Sequence, residues 1–283
     1  EKEYAKKLTT PEEAVKIVKS GDWVDYGWCA NHPRVLDKAL AERMIKEPSL
    51  TDLKFRGGVA LWMPEVAKIP NAKEQMCWNS WHASGYERKL TDNGIGYYAP
   101  LRFSELPRNY RDNIKHVDVT FIQVAPMDKH GYFNFGLSAS DIAAVIEVSE
   151  KVVVEVNPLM PVVLGGTEVS VHIDDVDLIV ENEGIPMADL PSGAPSEIDE
   201  AVAKLIVPEI PNGACLQLGI GGMPNAVGAM IAKSDLKDLS VHTEMYVDGF
   251  VDIANAGKLT CAQKNIDKGR QVFYLRSWHK ETL

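Results

Sequence analysis

The stretch at residues 216–249, LQLGIGGMPNAVGAMIAKSDLKDLSVHTEMYVDG, joins two apolar runs through a glycine-rich turn and a helical pattern. The turn is GIGG at residues 219–222, and Pro224 suits the first turn of the following helix, where a missing N–H costs nothing. The second run alternates apolar and polar residues, which predicts a strand with Glu244 at its C-terminal tip. We therefore predict a strand, a turn, a helix and a second strand, with Glu244 beside the glycine turn.

Short apolar runs rich in β-branched residues alternate with helical patterns along the whole chain, which predicts βαβ units and mainly parallel sheets. In the first half the predicted strands are 22–28, 52–58, 117–125 and 151–156. The predicted helices there are 11–20, 33–46 and 141–150. In the second half, ACLQL at 214–218 is predicted to be the strand that enters the glycine turn.

The second half repeats the first in kind and in order: helix, turn, strand, glycine, proline, helix and strand. The matched positions are Gly21 with Gly213, Gly27 with Gly219, Pro33 with Pro224, and Gly58 with Glu244. Any two βαβ units can match in this way by chance, so a coincidence stays open beside a true repeat. The pattern favours an α/β fold of two similar open domains at 1–185 and 197–283, joined by a Pro- and Gly-containing linker at 186–196.

Composition excludes several classes of function. The 283 residues carry 30 Lys and Arg against 40 Asp and Glu, a net charge of -10, which disfavours nucleic acid and anionic membranes as partners. The four cysteines have no metal-type spacing, so neither a disulfide framework nor a metal site is expected. No apolar run is long enough to span a membrane, and the charged opening does not resemble a secretion signal. A cytoplasmic location is expected.

The glycine turn admits three interpretations. Free backbone N–H groups at a helix N-terminus suit a developing negative oxygen. Alternatively, the glycines only permit a tight turn. A dinucleotide fingerprint is the third, with Glu244 as the ribose-binding acid, but Pro224 stands where its final glycine is needed.

Glu244 is a candidate nucleophile, because a glutamate carboxylate is ionised at neutral pH without help from a base. Most acids at strand ends are only solvated or cap a helix, so its position beside the turn is the distinguishing feature. A carboxylate is a weak nucleophile and needs a reactive electrophile together with a stabilised oxyanion. A thioester meets the first need, while the N–H groups of the turn and the amide of Gln217 meet the second.

At this point the sequence resembles a known family. LQLGIGGMPNAV, SVHTEMYVDGFVDI and QKNIDKGRQ, together with VAPMDKHGYFNFGLS in the first half, resemble the acyl-CoA:carboxylate CoA-transferases of the acetyl-CoA hydrolase/transferase group. The butyryl-CoA:acetate and 4-hydroxybutyrate CoA-transferases are the most similar branches. The resemblance implies two CoA-transferase-like α/β domains, with the catalytic glutamate in the second, which has fewer elements before the chain stops at Leu283.

The resemblance also implies roles for single residues. Glu244 is implied to attack an acyl-CoA thioester and to form a covalent glutamyl-CoA thioester. His32, Met223 and Pro224 are implied to contact substrate. The oxyanion and acyl site is implied to be lined by Gln217, Gly219, Gly221 and Gly222.

The expected partners are therefore acyl-CoA and short-chain carboxylates, with coenzyme A as part of the substrate and no separate cofactor or metal. A homo-oligomer is expected from the resemblance. The resemblance stops after about GRQVF at 269–273, which suggests a fragment or a frameshifted product. An acyl-CoA hydrolase using the same glutamate, and a fragment that only binds acyl-CoA, remain as alternatives to a transferase.

Overall fold

The structure is a computed structural model that describes residues 1–188 and 193–276. The chain divides into two compact units, unit 1 at residues 1–188 and unit 2 at residues 189–283, and each is described by itself. The predicted linker 186–196 includes residues 189–192, which lie outside the described residues, as do residues 277–283 of the predicted second domain.

Twelve strands occur in the described residues. They are β1 Trp23–Tyr26, β2 Leu53–Gly57, β3 Met76–Ser80, β4 Gly96–Tyr98, β5 Val117–Val124, β6 Tyr132–Asn134, β7 Ser149–Val156, β8 Ser170–His172, β9 Leu178–Glu181, β10 Cys215–Leu216, β11 Ser240–Tyr246 and β12 Val272–Arg276.

Ten α-helices occur in the same part of the chain, beside several short 3-10 turns and a π-turn. They are α1 Lys2–Lys7, α2 Pro11–Ala14, α3 Val35–Lys46, α4 Ala72–Gln75, α5 Gly85–Asp92, α6 Leu106–Asn109, α7 Ile142–Glu147, α8 Glu197–Ile206, α9 Gly222–Lys233 and α10 Asp248–Asn255.

Unit 1 is built on a seven-stranded parallel sheet in the order β4-β3-β2-β1-β5-β7-β9. The central strands β1, β5 and β7 are rich in buried aromatic and β-branched residues, as expected for parallel strands covered on both faces. A small antiparallel pair, β6 with β8, lies outside this sheet.

Two predicted helices of unit 1 are shorter than expected. The helix predicted at 11–20 ends at Ala14 and continues only as a 3-10 turn to Ile17, and the one predicted at 141–150 ends at Glu147. In the second case β7 begins at Ser149, since the β-branched run that follows forms a ladder with β5. Local pattern alone does not locate that switch from helix to strand.

Unit 2 is built on a three-stranded parallel sheet in the order β10-β11-β12, with α8, α9 and α10 packed together. Helices α9 and α10 pack so closely at Gly228 that a methyl group added there would lie 2.5 Å from the Gly249 Cα. The strand predicted at 214–218 is wrong in length: β10 contains only Cys215 and Leu216.

The predicted fold class is confirmed: both units are α/β, and their main sheets are parallel. The order β1, α3, β2 in unit 1 corresponds to β10, α9, β11 in unit 2. No helix among the described residues combines the length and the apolar character that crossing a membrane requires.

Candidate active site

The glycine turn of unit 2 connects β10 to α9 through backbone that side chains would obstruct. Gly221 has φ of 122° and ψ of 174°, a conformation that residues with a Cβ rarely adopt. A methyl group added at Gly222 would lie 2.7 Å from Asp199 Oδ2, whereas one at Gly219 would meet no described atom within 4 Å. Gly221 is therefore required by its backbone conformation, a side chain at Gly222 would displace the Asp199 carboxylate, and Gly219 leaves open space.

Helix α9 begins at Gly222 without a side chain hydrogen-bonded to its N-cap position within the described part of the chain. Pro224 is its third residue, so the predicted place in the first turn is confirmed. The backbone N–H groups at the start of α9 and the helix dipole together favour a negative group at this end. Gly219 and Gly221 are exposed, so the turn is open to solvent.

Glu244 is the fifth of the seven residues of β11, so the strand continues for two residues beyond the tip predicted at Glu244. Its side chain is exposed, as is that of His242, while Val241 and Thr243 on the opposite face are buried. This is the period-two alternation of a strand with one covered face. The carboxylate of Glu244 therefore lies on the uncovered face of the unit 2 sheet.

Gln217 links the turn to Glu244. The Glu244 backbone N–H donates to Gln217 Oε1 at 3.2 Å. Since β10 ends at Leu216, the side chain of Gln217 takes the place of a backbone acceptor from that strand. The Oε1 atom is thus occupied, and the two N–H groups of the same amide are the part of Gln217 suited to a substrate oxygen.

Thr243 is a second link that the sequence prediction missed. Its hydroxyl is buried and lies 3.4 Å from the Leu218 carbonyl and 3.0 Å from the Met245 carbonyl, to which it donates. The signal was available in the alternation of SVHTEM, which places position 243 on the inward face. Gln217 and Leu218, which lead from β10 into the turn, are thus linked to Glu244 and Thr243 of β11.

Met223 is the second residue of α9 and is 36% exposed, and Pro224 is half-buried beside it. Both lie at the exposed end of the helix that carries the glycine turn. The structure brings together Gln217, the glycines, Met223, Pro224 and Glu244 within unit 2. Their roles toward substrate remain predictions.

His32 lies in unit 1, where it is 1% exposed. Its ring meets those of Tyr26, Trp62 and Trp78 at centroid distances of 6.1, 5.9 and 6.1 Å. Burial lowers the pKa of His32 to about 3, so the imidazole is neutral in the folded protein. Neither ring nitrogen has a hydrogen-bond partner among the described residues. The substrate contact implied for His32 stays a prediction.

One group of three potential metal ligands occurs in the described residues, with ligand atoms within 4.8 Å of one another: His116, Asp118 and Glu150. All three residues belong to unit 1: His116 directly precedes β5, Asp118 lies in β5 and Glu150 lies in β7. The group includes no residue of the glycine turn. The expectation that the chain has no metal site stays a prediction.

Comparisons with known proteins identify the family of the chain. The chain is 61% identical over 272 residues to a butyryl-CoA:acetate CoA-transferase of Anaerostipes caccae, covering 96% of this chain and 60% of that protein. It is 45% identical over 271 residues to a probable butyrate:acetyl-CoA coenzyme A-transferase of Syntrophomonas wolfei, again covering 96% and 60%. The chain thus spans about 60% of the length of these curated relatives.

Solved structures show the same fold. RipA from Yersinia pestis superposes with a TM-score of 0.87 at 32% identity, over 98% of this chain and 64% of that one. A 4-hydroxybutyrate CoA-transferase from Porphyromonas gingivalis gives a TM-score of 0.77 at 26% identity, over 99% and 64%. The family model for the acetyl-CoA hydrolase/transferase N-terminal domain matches residues 1–191. The chain therefore belongs to the acetyl-CoA hydrolase/transferase family.

Proposed function

We propose that this protein transfers coenzyme A from a short-chain acyl-CoA, of the butyryl or 4-hydroxybutyryl type, to a carboxylate such as acetate, with Glu244 as the nucleophile. The observation that carries the proposal is the exposed Glu244 side chain on the strand beside the glycine turn, with its backbone N–H held by Gln217. The identity to the Anaerostipes caccae protein supports the choice of acyl group and acceptor.

The first half-reaction moves coenzyme A onto the enzyme. A Glu244 carboxylate oxygen attacks the thioester carbonyl carbon, the carbon–sulfur bond breaks, and the thiolate leaves with the electron pair. The product is a mixed anhydride between Glu244 and the acyl group. The thiolate then attacks the Glu244 carbonyl carbon, which releases the acyl group as a carboxylate and leaves a glutamyl-CoA thioester.

The second half-reaction reverses these steps with the acceptor. An acetate oxygen attacks the glutamyl thioester, releasing the thiolate and forming a second anhydride. The thiolate attacks the acetyl carbon, which yields acetyl-CoA and restores the Glu244 carboxylate. No step consumes or releases a proton, so the site needs no general base.

The turn supplies the electrostatic part of catalysis. Each attack turns a carbonyl oxygen into an oxyanion, and donors that are fixed in advance stabilise it better than water does. The first-turn N–H groups of α9, the exposed backbone at Gly219 and Gly221, and the Gln217 amide are the proposed donors. Removing one such donor typically costs on the order of 10²–10³-fold in rate.

The remaining assignments belong to the same proposal. Met223 and Pro224 border the acyl group, and His32, which is a neutral imidazole in the folded protein, contacts substrate. No cofactor beyond the coenzyme A of the substrate takes part. The protein acts in the cytoplasm as a homo-oligomer on acyl-CoA and short-chain carboxylates.

The test is to trap the intermediate. The chain is incubated with butyryl-CoA and then with hydroxylamine, which converts an activated glutamate into a hydroxamate, and its peptides are mapped by mass spectrometry. We expect modification at Glu244, with none at the exposed Glu200 and none in Glu244→Gln. Turnover of butyryl-CoA with an unmodified Glu244 would contradict the covalent route. Binding of butyryl-CoA without modification or turnover would favour the binding-only alternative.

Hydrolysis is the second candidate, because the exposure of Glu244 gives water access to any intermediate formed there. In that case water replaces acetate in the second half-reaction, and free coenzyme A accumulates. Product analysis separates the two. We expect acetyl-CoA to form in proportion to added acetate; free coenzyme A at a rate independent of acetate would favour the hydrolase.

A further inference from the structure

The turn of unit 1 that corresponds to the glycine turn ends against a buried carboxylate. Glu155, the seventh residue of β7, is 0% exposed. Its Oε2 accepts the backbone N–H groups of Arg34, Val35 and Leu36 at 2.9, 3.0 and 3.2 Å. These groups are at the N-terminus of α3, where backbone donors lack partners within the helix. One oxygen of Glu155 thus binds three of them.

The second oxygen is held as well, since Asn182 Nδ2 donates to Glu155 Oε1 at 2.9 Å. All four of these partners are donors, which matches the acceptor-only character of an ionised carboxylate. No Lys, Arg or His within the described residues forms an ion pair with Glu155. The helix end and one amide therefore take the place of a cationic side chain in holding this group.

The same network holds the turn that precedes α3. Gln123 Nε2 donates to the carbonyls of Ala30 and His32 at 2.9 and 3.3 Å. Asn31 Nδ2 donates to the Gln123 carbonyl at 2.8 Å. Asn182 joins the two parts, because its Nδ2 also lies 3.2 Å from Gln123 Oε1. The His32 carbonyl thus accepts a hydrogen bond from Gln123. Two residues later, Arg34 begins the helix end that Glu155 binds.

We propose that the N-terminus of α3 is a carboxylate-binding site that the chain fills with its own Glu155, and that Glu155 is the positioning residue for the turn carrying His32. Once the side chain is shortened, the same place accepts a free carboxylate of the size of acetate. The site itself follows from the contacts above. Only the benefit of positioning His32 rests on the proposed function.

The experiment removes the side chain and returns its missing part. Glu155→Ala deletes the Cγ methylene and the carboxylate, which together have the size and charge of acetate. We expect the thermal unfolding midpoint of unit 1 to fall in Glu155→Ala and to rise again, saturably, with sodium acetate. At an acetate concentration about 100 times the dissociation constant, the recovery is expected to be about 5–10 °C.

Matched controls separate specific binding from general effects. Acetamide and sodium chloride at equal concentration should leave the midpoint of Glu155→Ala unchanged. Glu150→Ala, an exposed position on the same strand, should neither lose stability nor respond to acetate. The unsubstituted chain measures any stabilisation that acetate gives as a substrate. An equal response to acetamide, or none to acetate, would overturn the proposal.

A second variant keeps the test decisive if Glu155→Ala folds poorly. Glu155→Gln fills the same space but turns an amide toward Asn182 and removes the charge, so we expect partial loss of stability and no recovery with acetate. Full stability of Glu155→Gln would contradict a need for a carboxylate. These readouts are unfolding midpoints and do not depend on turnover, so they test the carboxylate site even if the transferase proposal fails. If the protein is a transferase, loss of activity in Glu155→Gln while unit 2 keeps its unfolding midpoint would indicate that Glu155 positions His32.

Discussion

The turns after β1 and after β10 lead into helices of equal length, 12 residues in α3 and 12 in α9. The two helices differ in what lies at their N-terminal N–H groups. In unit 1 the turn is buried, and Glu155 binds the helix end. In unit 2 the turn is made of glycines, is exposed, and has no side-chain cap among the described residues.

The difference shows how one backbone arrangement serves two purposes. A helix N-terminus attracts a negative group whatever its source. When the chain supplies that group from a buried strand, the result is a rigid, desolvated support. When glycines keep side chains away, the same donors face solvent and are open to a substrate oxygen. The helix end in unit 1 is therefore bound by the buried Glu155, whereas the turn before the helix in unit 2 is exposed.

The largest effect is expected from Glu244→Gln, which keeps shape and removes the nucleophilic oxygen. We expect CoA transfer to fall by on the order of 10³-fold or more, as for loss of other covalent nucleophiles. Because the side chain is exposed, the free energy of unfolding should change by less than about 0.5 kcal/mol. Coupled transferase assays and urea unfolding check both, with Glu200→Gln as the control. Retained activity would remove Glu244 from the mechanism.

The buried turn should make unit 1 sensitive to acid. The pKa of His32 is lowered from 6.5 to about 3 by burial, so below about pH 6.5 the unfolded chain binds a proton that the folded chain does not. Stability is thus lost as pH falls from about 6.5 toward 3. Between pH 7 and pH 5, unit 1 should lose about 2 kcal/mol more than its His32→Gln variant does. The exposed His130→Gln serves as the control; parallel curves for all three proteins would contradict the burial argument.

Alanine substitutions at Gly221 and Gly219 separate a glycine required by its backbone conformation from one with free space around it. Gly221→Ala places a Cβ on backbone with φ of 122° and should destabilise unit 2 by about 1–2 kcal/mol. Gly219→Ala meets no described atom within 4 Å and should cost less than about 0.5 kcal/mol. Denaturant unfolding of both variants measures the difference. Equal losses would mean that the turn has a different backbone conformation in solution.

A modest effect is expected from Thr243→Val, which keeps the shape and removes a buried hydroxyl near the Leu218 carbonyl, just before the turn. A loss of about 1 kcal/mol is expected, since the buried hydroxyl then no longer donates to the Met245 carbonyl at 3.0 Å or lies near the Leu218 carbonyl at 3.4 Å. Thermal unfolding compares it with Thr260→Val at an exposed position. A variant as stable as the unsubstituted chain would show that this link does not hold the turn.

Periodicity and turn chemistry were sufficient to predict the α/β class, the parallel sheets, and the helix that carries Pro224. They failed at element ends: β10 stops at Leu216, and α7 gives way to β7 at Ser149. Ends of this kind depend on ladder partners elsewhere in the chain, which no local window contains.

The chemistry of the candidate site was inferred from the sequence and stays a prediction, whereas the contacts that hold its residues in place were predicted only in part. Glu244 and Gln217 were identified from the sequence, but the bond from Glu244 N–H to Gln217 Oε1 requires knowing that β10 ends early. Glu155 was missed, although a single acid within the buried run KVVVEV at 151–156 was a visible signal. A buried charge in a strand implies a partner, and the sequence does not say that the partner is a distant helix end.

Hydrogen–deuterium exchange with and without butyryl-CoA tests the contrast between the two turns most directly. We expect slower exchange in peptides covering 216–226 of unit 2, and unchanged exchange in peptides covering 34–40 of unit 1, where Glu155 already occupies the donors. Protection at 34–40, or a response there as large as at 216–226, would contradict this contrast.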